Sequence, residues 1–346
     1  MKKYLFLAVS LSALLFSCGP DGPDGPDGEG GGTQPERWAE GIYEPGNKIN
    51  TVAYDGVPEE QWSWAGNRLD HISYVYGSMI TFGYSGDYLS SVSSEEDGTT
   101  MEIRYFYNGG LLSNYDIYYD NMLAVSARVN RNAGNKISSA VYTVSDEYLN
   151  LIMGGITDMK SLSNMVGENM AESLLRMARM KALNSSKVEL TNTTIAASYK
   201  WEGDNVVEES TLADINMTLS AEEMAMMESM FGVDIPDAIL ALLGSTGLPL
   251  KMTMTDTMSY AYDDKKNPYC YCWTEGVSAA TLSRNNPVSV NERSMESVSL
   301  SAMGQVIPLM EEPYESNDVY AYTYNEAGFP TRVVSGDGSV MTITYK

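Results

Sequence analysis

From about Glu36 onward the chain is made of short stretches in which apolar and polar residues alternate, rich in Tyr, Val, Ile, Thr and Ser. Gly, Asn or Asp interrupts them every ten to fifteen residues or so, and a period of two between such breaks predicts antiparallel sheet. A loose unit recurs along it, built on Trp62/Trp64, Phe82/Tyr84, Tyr105/Tyr107, Tyr199/Trp201, Tyr260/Tyr262 and Tyr322/Tyr324. In each copy two aromatics stand two positions apart, so both side chains leave the same face of a strand. Polar residues with Gly, Asn or Asp come next and supply the turn, after which an apolar residue such as Leu69 or Val206 opens the return strand. The unit reads as one hairpin. Hairpins joined in sequence give a meander, and repeats that cannot bury their own faces must stack or curl.

Two regions depart from this pattern. Near 146–183, Leu162, Val166, Met170, Leu174 and Met177 recur at helical spacing, and Arg176, Arg179 and Lys181 sit where a helix C-terminus favours cations. Near 220–244, Ser220 and Glu223 form a capping-box signature, and a second piece beginning at Pro236 should stop by Gly244. An open sheet with aromatics on one face needs a cover, and methionine-rich helices carrying Met224, Met226, Met227 and Met230 can provide it. The expected fold is therefore mainly β, α+β overall: a curved antiparallel β-meander of repeated hairpins covered by one or two inserted helical segments. One domain, 36–346, accounts for it.

The N-terminus changes the picture. Lys2 and Lys3 precede an apolar run from Tyr4 to Phe16 that is too short to span a bilayer, so 1–17 reads as a secretory signal. Leu15-Phe16-Ser17-Cys18 resembles the lipobox of bacterial lipoproteins, which implies cleavage before Cys18 and its lipidation. Residues 18–35 repeat Gly, Pro and Asp and then run through glycine, a composition that cannot bury enough surface to fold and serves as a tether.

The whole chain has 46 Asp and Glu against 22 Lys and Arg, a formal charge of −24 that loss of Lys2 and Lys3 makes more negative by two. That is the wrong sign for gripping a phosphate backbone, and nucleic acid is not expected as a partner. A single histidine, His71, excludes His-rich metal sites. Cys270 and Cys272 flank Tyr271 in what reads as a strand and fit two small apolar residues on one face better than a disulfide or a metal pair. No catalytic, cofactor or metal motif emerges. The candidate site residues are of another kind: Trp62, Trp64, Tyr118 and Tyr119 as a surface on which a sugar ring could stack, and Thr257, within Asp256-Thr257-Met258, as an O-glycosylation position.

Tyr260-x-Tyr262 with its acidic turn to Pro268, Leu282 to Pro287, and Tyr322-x-Tyr324 with its turn to Pro330 carry a resemblance. Together with the lipoprotein start, they are similar to the β-rich lipoproteins of unknown function common in gut Bacteroidetes, and more distantly to the YD-repeat strand-turn units of bacterial surface proteins. The resemblance implies an outer-membrane lipoprotein, anchored at Cys18 and facing the cell surface, with a curved antiparallel sheet and no catalytic residues to carry over. The functional expectation is a non-catalytic binding or structural module whose partner is a glycan or an envelope protein. The alternative is a carboxylate-dependent hydrolase of extracellular polysaccharide, which needs two acids facing each other in a cleft.

Overall fold

The computed structural model describes residues 48–96, 98–145, 147–148, 194–219, 248–270, 277–302 and 305–346. They form one antiparallel sheet. Its strands are β1 (Ile49–Tyr54), β2 (Val57–Ala65), β3 (Arg68–Tyr74), β4 (Met79–Ser85), β5 (Tyr88–Glu96), β6 (Thr99–Asn108), β7 (Leu111–Tyr119) and β8 (Met122–Arg131). The second half contributes β9 (Ile137–Val144), β10 (Thr194–Glu202), β11 (Asn205–Leu219), β12 (Leu248–Lys266), β13 (Asn285–Ala302), β14 (Gln305–Tyr324), β15 (Pro330–Ser335) and β16 (Val340–Tyr345). Each strand pairs with the next, and β16 pairs back onto β1, so the meander closes into a sixteen-stranded barrel. This corrects the expectation of an open sheet: the described strands close on themselves and leave no sheet edge unpaired. The segments near 146–183 and 220–244, where the spacing predicts helices, lie outside the described residues apart from Glu147 and Tyr148. A single helical turn, α1 (Ala279–Leu282), lies in the connection between β12 and β13.

Because consecutive strands alternate in direction, every odd strand starts at the rim where the chain enters, and every even strand ends there. At this entry rim sit the two-residue turns Gly66-Asn67, Gly86-Asp87, Gly109-Gly110 and Gly203-Asp204. Gly109 and Gly110 both have positive φ, 61° and 84°, the geometry that a tight hairpin demands and that glycine supplies without strain. The six aromatic pairs read from the sequence all lie at the ends of even strands beside this rim.

A register shift accompanies each of them. The pairing slips once between Ser63 and Trp64, Gly83 and Tyr84, Phe106 and Tyr107, Lys200 and Trp201, Ala261 and Tyr262, and Thr323 and Tyr324. The same slip occurs between Asn130 and Arg131 on β8, and where β1 meets β16. Each slip leaves one extra residue on the odd strand, a β-bulge that moves the inward parity by one. Inward side chains on the odd strands therefore fall three apart: Ile49 and Val52, Leu69 and Ile72, Leu89 and Val92, Leu112 and Tyr115, Ile137 and Ala140, all buried.

The aromatic tips answer the bulges. Trp64 Nε1 donates to the Ile49 carbonyl at 2.7 Å, Tyr84 Oη to Leu69 at 2.9 Å, Trp201 Nε1 to Ile137 at 2.7 Å and Tyr262 Oη to Val206 at 2.7 Å. Tyr322, Tyr345 and the guanidinium of Arg131 do the same for Pro287, Pro330 and Leu112. A carbonyl freed at a bulge costs free energy when it is left without a donor, and these seven repeats supply one from the strand alongside.

Inside and outside are sharply distinguished. Inward positions hold Trp62, Tyr115, Leu69, Leu89, Leu112 and Ile117, nearly fully buried. Between them, outward positions hold residues such as Gln61, Ser93, Glu102, Arg128, Thr255 and Arg293. A lipid-exposed barrel shows the opposite arrangement, with apolar residues outside and a polar lumen. A sixteen-stranded barrel of that kind would also hold a water channel, whereas here the inward side chains around the wall are buried. Described parts of the β12–β13 connection add to the packing: Tyr269, Val277, Ala279 and Leu282 are buried in the same core as the strands.

Candidate functional site

Among the inward positions that come after a bulge, β11 holds the exception. Val206 is fully buried like Leu69 and Leu89, but three residues on, where other odd strands place Val52, Ile72, Val92, Tyr115, Ala140, Val290 and Val333, stands Glu209. Its backbone lies in the half-buried wall and its carboxyl reaches into the lumen. The backbone N–H of Ala279, at the start of α1, donates to Glu209 Oε2 at 2.8 Å. The hydroxyls of Tyr199 and Tyr260 also bond the carboxyl, and Asp256 on β12 approaches it.

Behind Glu209 runs a chain of tyrosines. Tyr115 Oη donates to Tyr142 Oη at 3.1 Å, Tyr142 in turn bonds Tyr199, and Tyr199 Oη donates to the Val277 carbonyl at 2.9 Å. This network joins β7, β9, β10, β11 and β12 to the β12–β13 connection. Burial pushes the Glu209 carboxyl up to about 7, and the negative field of Asp256 adds to the shift while the donated hydrogen bonds oppose it. Tyr115, Tyr142, Tyr199 and Tyr260 are driven well above the usual phenol range, chiefly by burial, so they remain neutral donors.

A second acid stands across the barrel on β2. Glu60 is 6% exposed and accepts from Trp62 Nε1 at 2.8 Å, with Tyr54 Oη at 3.5 Å. Burial raises it to about 7 as well, and neighbouring Glu59 contributes to the rise. Trp62 packs edge-on against Tyr269, centroids 5.8 Å apart, so this acid too lies beside the β12–β13 connection. What sets both carboxyls is burial, neutral donors and other acids; no cation enters among the described residues. Nor, among the described residues, is any group of three or more His, Cys, Asp and Glu placed to hold a metal ion.

The residues picked from sequence fall elsewhere. Trp62 and Trp64 stack on each other at 6.3 Å, but inside the entry rim, with Trp62 2% exposed, so this pair belongs to the core and offers no outward platform. Tyr118 and Tyr119 point to opposite faces: Tyr118 lies outside under the Arg104 guanidinium at 4.0 Å, and Tyr119 is inside against Tyr148. Adjacent residues of a strand cannot share a platform. Thr257 is on the outer face of β12, its hydroxyl 3.0 Å from that of Ser210. Cys18 and Cys272 lie outside the described residues. Cys270 is buried in the connection after β12, packed with Phe329, and not in a strand. His71 faces outward and contacts Asp70 at 2.8 Å.

Sequence reading missed Glu209 and Glu60. A signal existed for the first: aligned on the residue that opens the return strand, Val206-x-x-Glu209 matches Leu69-x-x-Ile72 and Leu89-x-x-Val92, and the acid breaks the apolar series. Strict alternation assigns it to the wrong face. Neither known protein families nor curated proteins yield a match to this chain.

Proposed function

We propose that the chain is a lipid-anchored, non-catalytic envelope module: a packed, water-soluble barrel held at a membrane by Cys18 and the 18–35 tether, on the outer membrane with its body toward the cell surface, and offering its exposed surfaces to a glycan or an envelope protein. The observation that carries this reading is the polarity of the wall, apolar within and polar without, which suits a barrel attached to a membrane and not inserted in one. The path of the chain supports it. Lys48 leads into β1 at the entry rim, so a tether would approach from that side. The taller strands β11 to β14 and the connections leaving β9 and β11 stand at the far rim, the side free to meet a partner. Helical segments near 146–183 and 220–244 would enlarge that rim. Exposed apolar side chains also gather there, with Val57, Val75, Tyr76 and Met79 on the neighbouring strands β2 to β4 and the turn between β3 and β4. The family resemblance, to β-rich Bacteroidetes-type lipoproteins with YD-like units, agrees with the same reading.

The hydrolase alternative draws less support. Its most perturbed acids, Glu60 and Glu209, are packed against neutral donors within the wall, not across a cleft wide enough for a sugar chain. The test is cellular. Clickable palmitate should label the wild type and not Cys18→Ala, and protease added to intact cells should remove the labelled protein. Glycan arrays then separate sugar from protein partners. An unlabelled wild type would overturn the anchor, and release of reducing sugar from a polysaccharide panel would overturn the non-catalytic reading.

A further inference from the structure

We propose that the entry rim is a cationic collar that seats the barrel on the phosphate headgroups of an anionic membrane surface. Among the described residues, every Lys and Arg except Arg104, Lys251 and Arg293 lies within three residues of a strand end at that rim. The same band holds fewer carboxylates than cations, although acids outnumber cations by 46 to 22 over the whole chain. Three of its acids are engaged: Asp87 pairs with Arg68, Asp204 with Lys136 and Arg284, and Asp264 with Lys265. Arg128, Lys200, Arg332 and Lys346 are exposed and form no ion pair among the described residues, and Lys266 lies over the Phe329 ring. Together with Lys48 and Arg68, these cations follow the rim from β8 through β16 and on to β3.

Placement decides here, not net charge. Exposed charges further apart than the Debye length, about 10 Å at 0.1 M salt, scarcely feel each other. A nine-residue strand such as β7 holds the far rim roughly 20 Å from the entry rim even when tilted. A planar headgroup layer therefore meets the collar and not the acidic remainder, whereas a flexible polyanion wrapping the wall would meet both. Arg128, Lys200 and Arg332 stand on outward positions, from which their long stems reach along the wall while the charged heads stay in water. The path of the chain argues that the surface is a membrane: Lys48, at this rim, follows a stretch that leads back through 18–35 to Cys18. In that respect the inference rests on the anchored reading. The rival occupant is the tether itself, which brings Asp21, Asp24, Asp27 and Glu29, while 271–276 bring one further acid, Glu275.

Vesicle co-sedimentation of the chain from residue 18 with Cys18→Ala, which carries no lipid, isolates the collar from the anchor. The protein should bind vesicles of phosphatidylglycerol and phosphatidylcholine but not phosphatidylcholine alone, and lose that binding as salt rises from about 0.1 M to about 0.5 M. Each cation at such a surface strengthens binding about fivefold, so Arg128→Gln, Lys200→Gln and Arg332→Gln combined should weaken it on the order of 100-fold. Arg104→Gln, Lys251→Gln and Arg293→Gln combined make the same change in net charge and should leave binding as it is. Binding that is absent, that ignores lipid charge, or that falls equally in both triple variants overturns the collar. So does binding that appears only once 18–35 are deleted, which would put the tether's acids on the rim. The lipid and salt comparisons decide even if a triple variant does not fold, and palmitate labelling of the wild type judges the anchor separately.

Discussion

At the scale of single residues, Glu60 gives the clearest energetic prediction, because it is buried and its donors, Trp62 and Tyr54, are neutral. Its folded value lies above the ordinary carboxyl value, so the folded state binds the proton more tightly than the unfolded one. The penalty is absent below about pH 4.5, grows as pH rises, and is complete by about 7. The size of the rise corresponds to about 3 kcal/mol of lost stability at neutral pH, taken as an upper figure. Glu60→Gln keeps a hydrogen-bond acceptor for Trp62 and removes the charge. Its urea midpoint should exceed that of the wild type at pH 8 and match it at pH 4.5. An equal difference at both pH values would show packing, and not ionisation, at work. Glu60 does not stand out in the linear sequence, where it is one of 46 carboxylates and only burial distinguishes it.

The hairpin is the element that the sequence makes legible, and the reason lies in its chemistry. Turn glycines and paired aromatics are required locally, so six copies can be read directly. Two more, ending in Val129-x-Arg131 and Ile343-x-Tyr345, escape because their first positions, buried in the core, are aliphatic. In most copies the second position presents the donor to a bulge carbonyl, where Arg131 serves as well as tyrosine or tryptophan, while in the Tyr322/Tyr324 pair the first position does so. Bulges themselves leave no mark in an alternation pattern, which is why Glu209 could be taken for a surface acid. Tyr84→Phe keeps the ring and removes the donor to Leu69, and Tyr262→Phe removes the donor to Val206 together with the bond to Ser283 Oγ. Each should cost about 1–3 kcal/mol, the penalty of a buried carbonyl left without its partner. Phe82→Leu, at the first position, keeps all these donors. Chemical denaturation of the three variants checks the contrast: a Tyr84→Phe protein as stable as wild type would deny the tip hydrogen bonds their role.

For the whole molecule, the decisive interaction is the one furthest apart in sequence, β1 against β16, where Val52 faces Ile343 and the hydroxyls of Thr51 and Thr344 meet at 2.5 Å. Nothing in a run of hairpins announces closure, because a meander of identical units can equally stay open under a cover. Closure depends on accumulated twist and bulge-driven coiling, which are properties of all the strands together. It also removes the two sheet edges that an open meander would expose. Deleting Val340–Lys346 should therefore do more than shorten the chain. It strips the partner from both β1 and β15, uncovers Val52 and Val333, and offers two edges for pairing with other copies. The full body, 36–346, is expected to elute as a discrete species in aqueous buffer without detergent, since its outer wall is polar. The truncated one should bind a hydrophobic dye and shift to large assemblies in size-exclusion chromatography. A truncated body that stays discrete would mean that the sheet can bury its inner face without closing, whereas a full body that needs detergent would mean that the polar wall is not the surface presented to solvent.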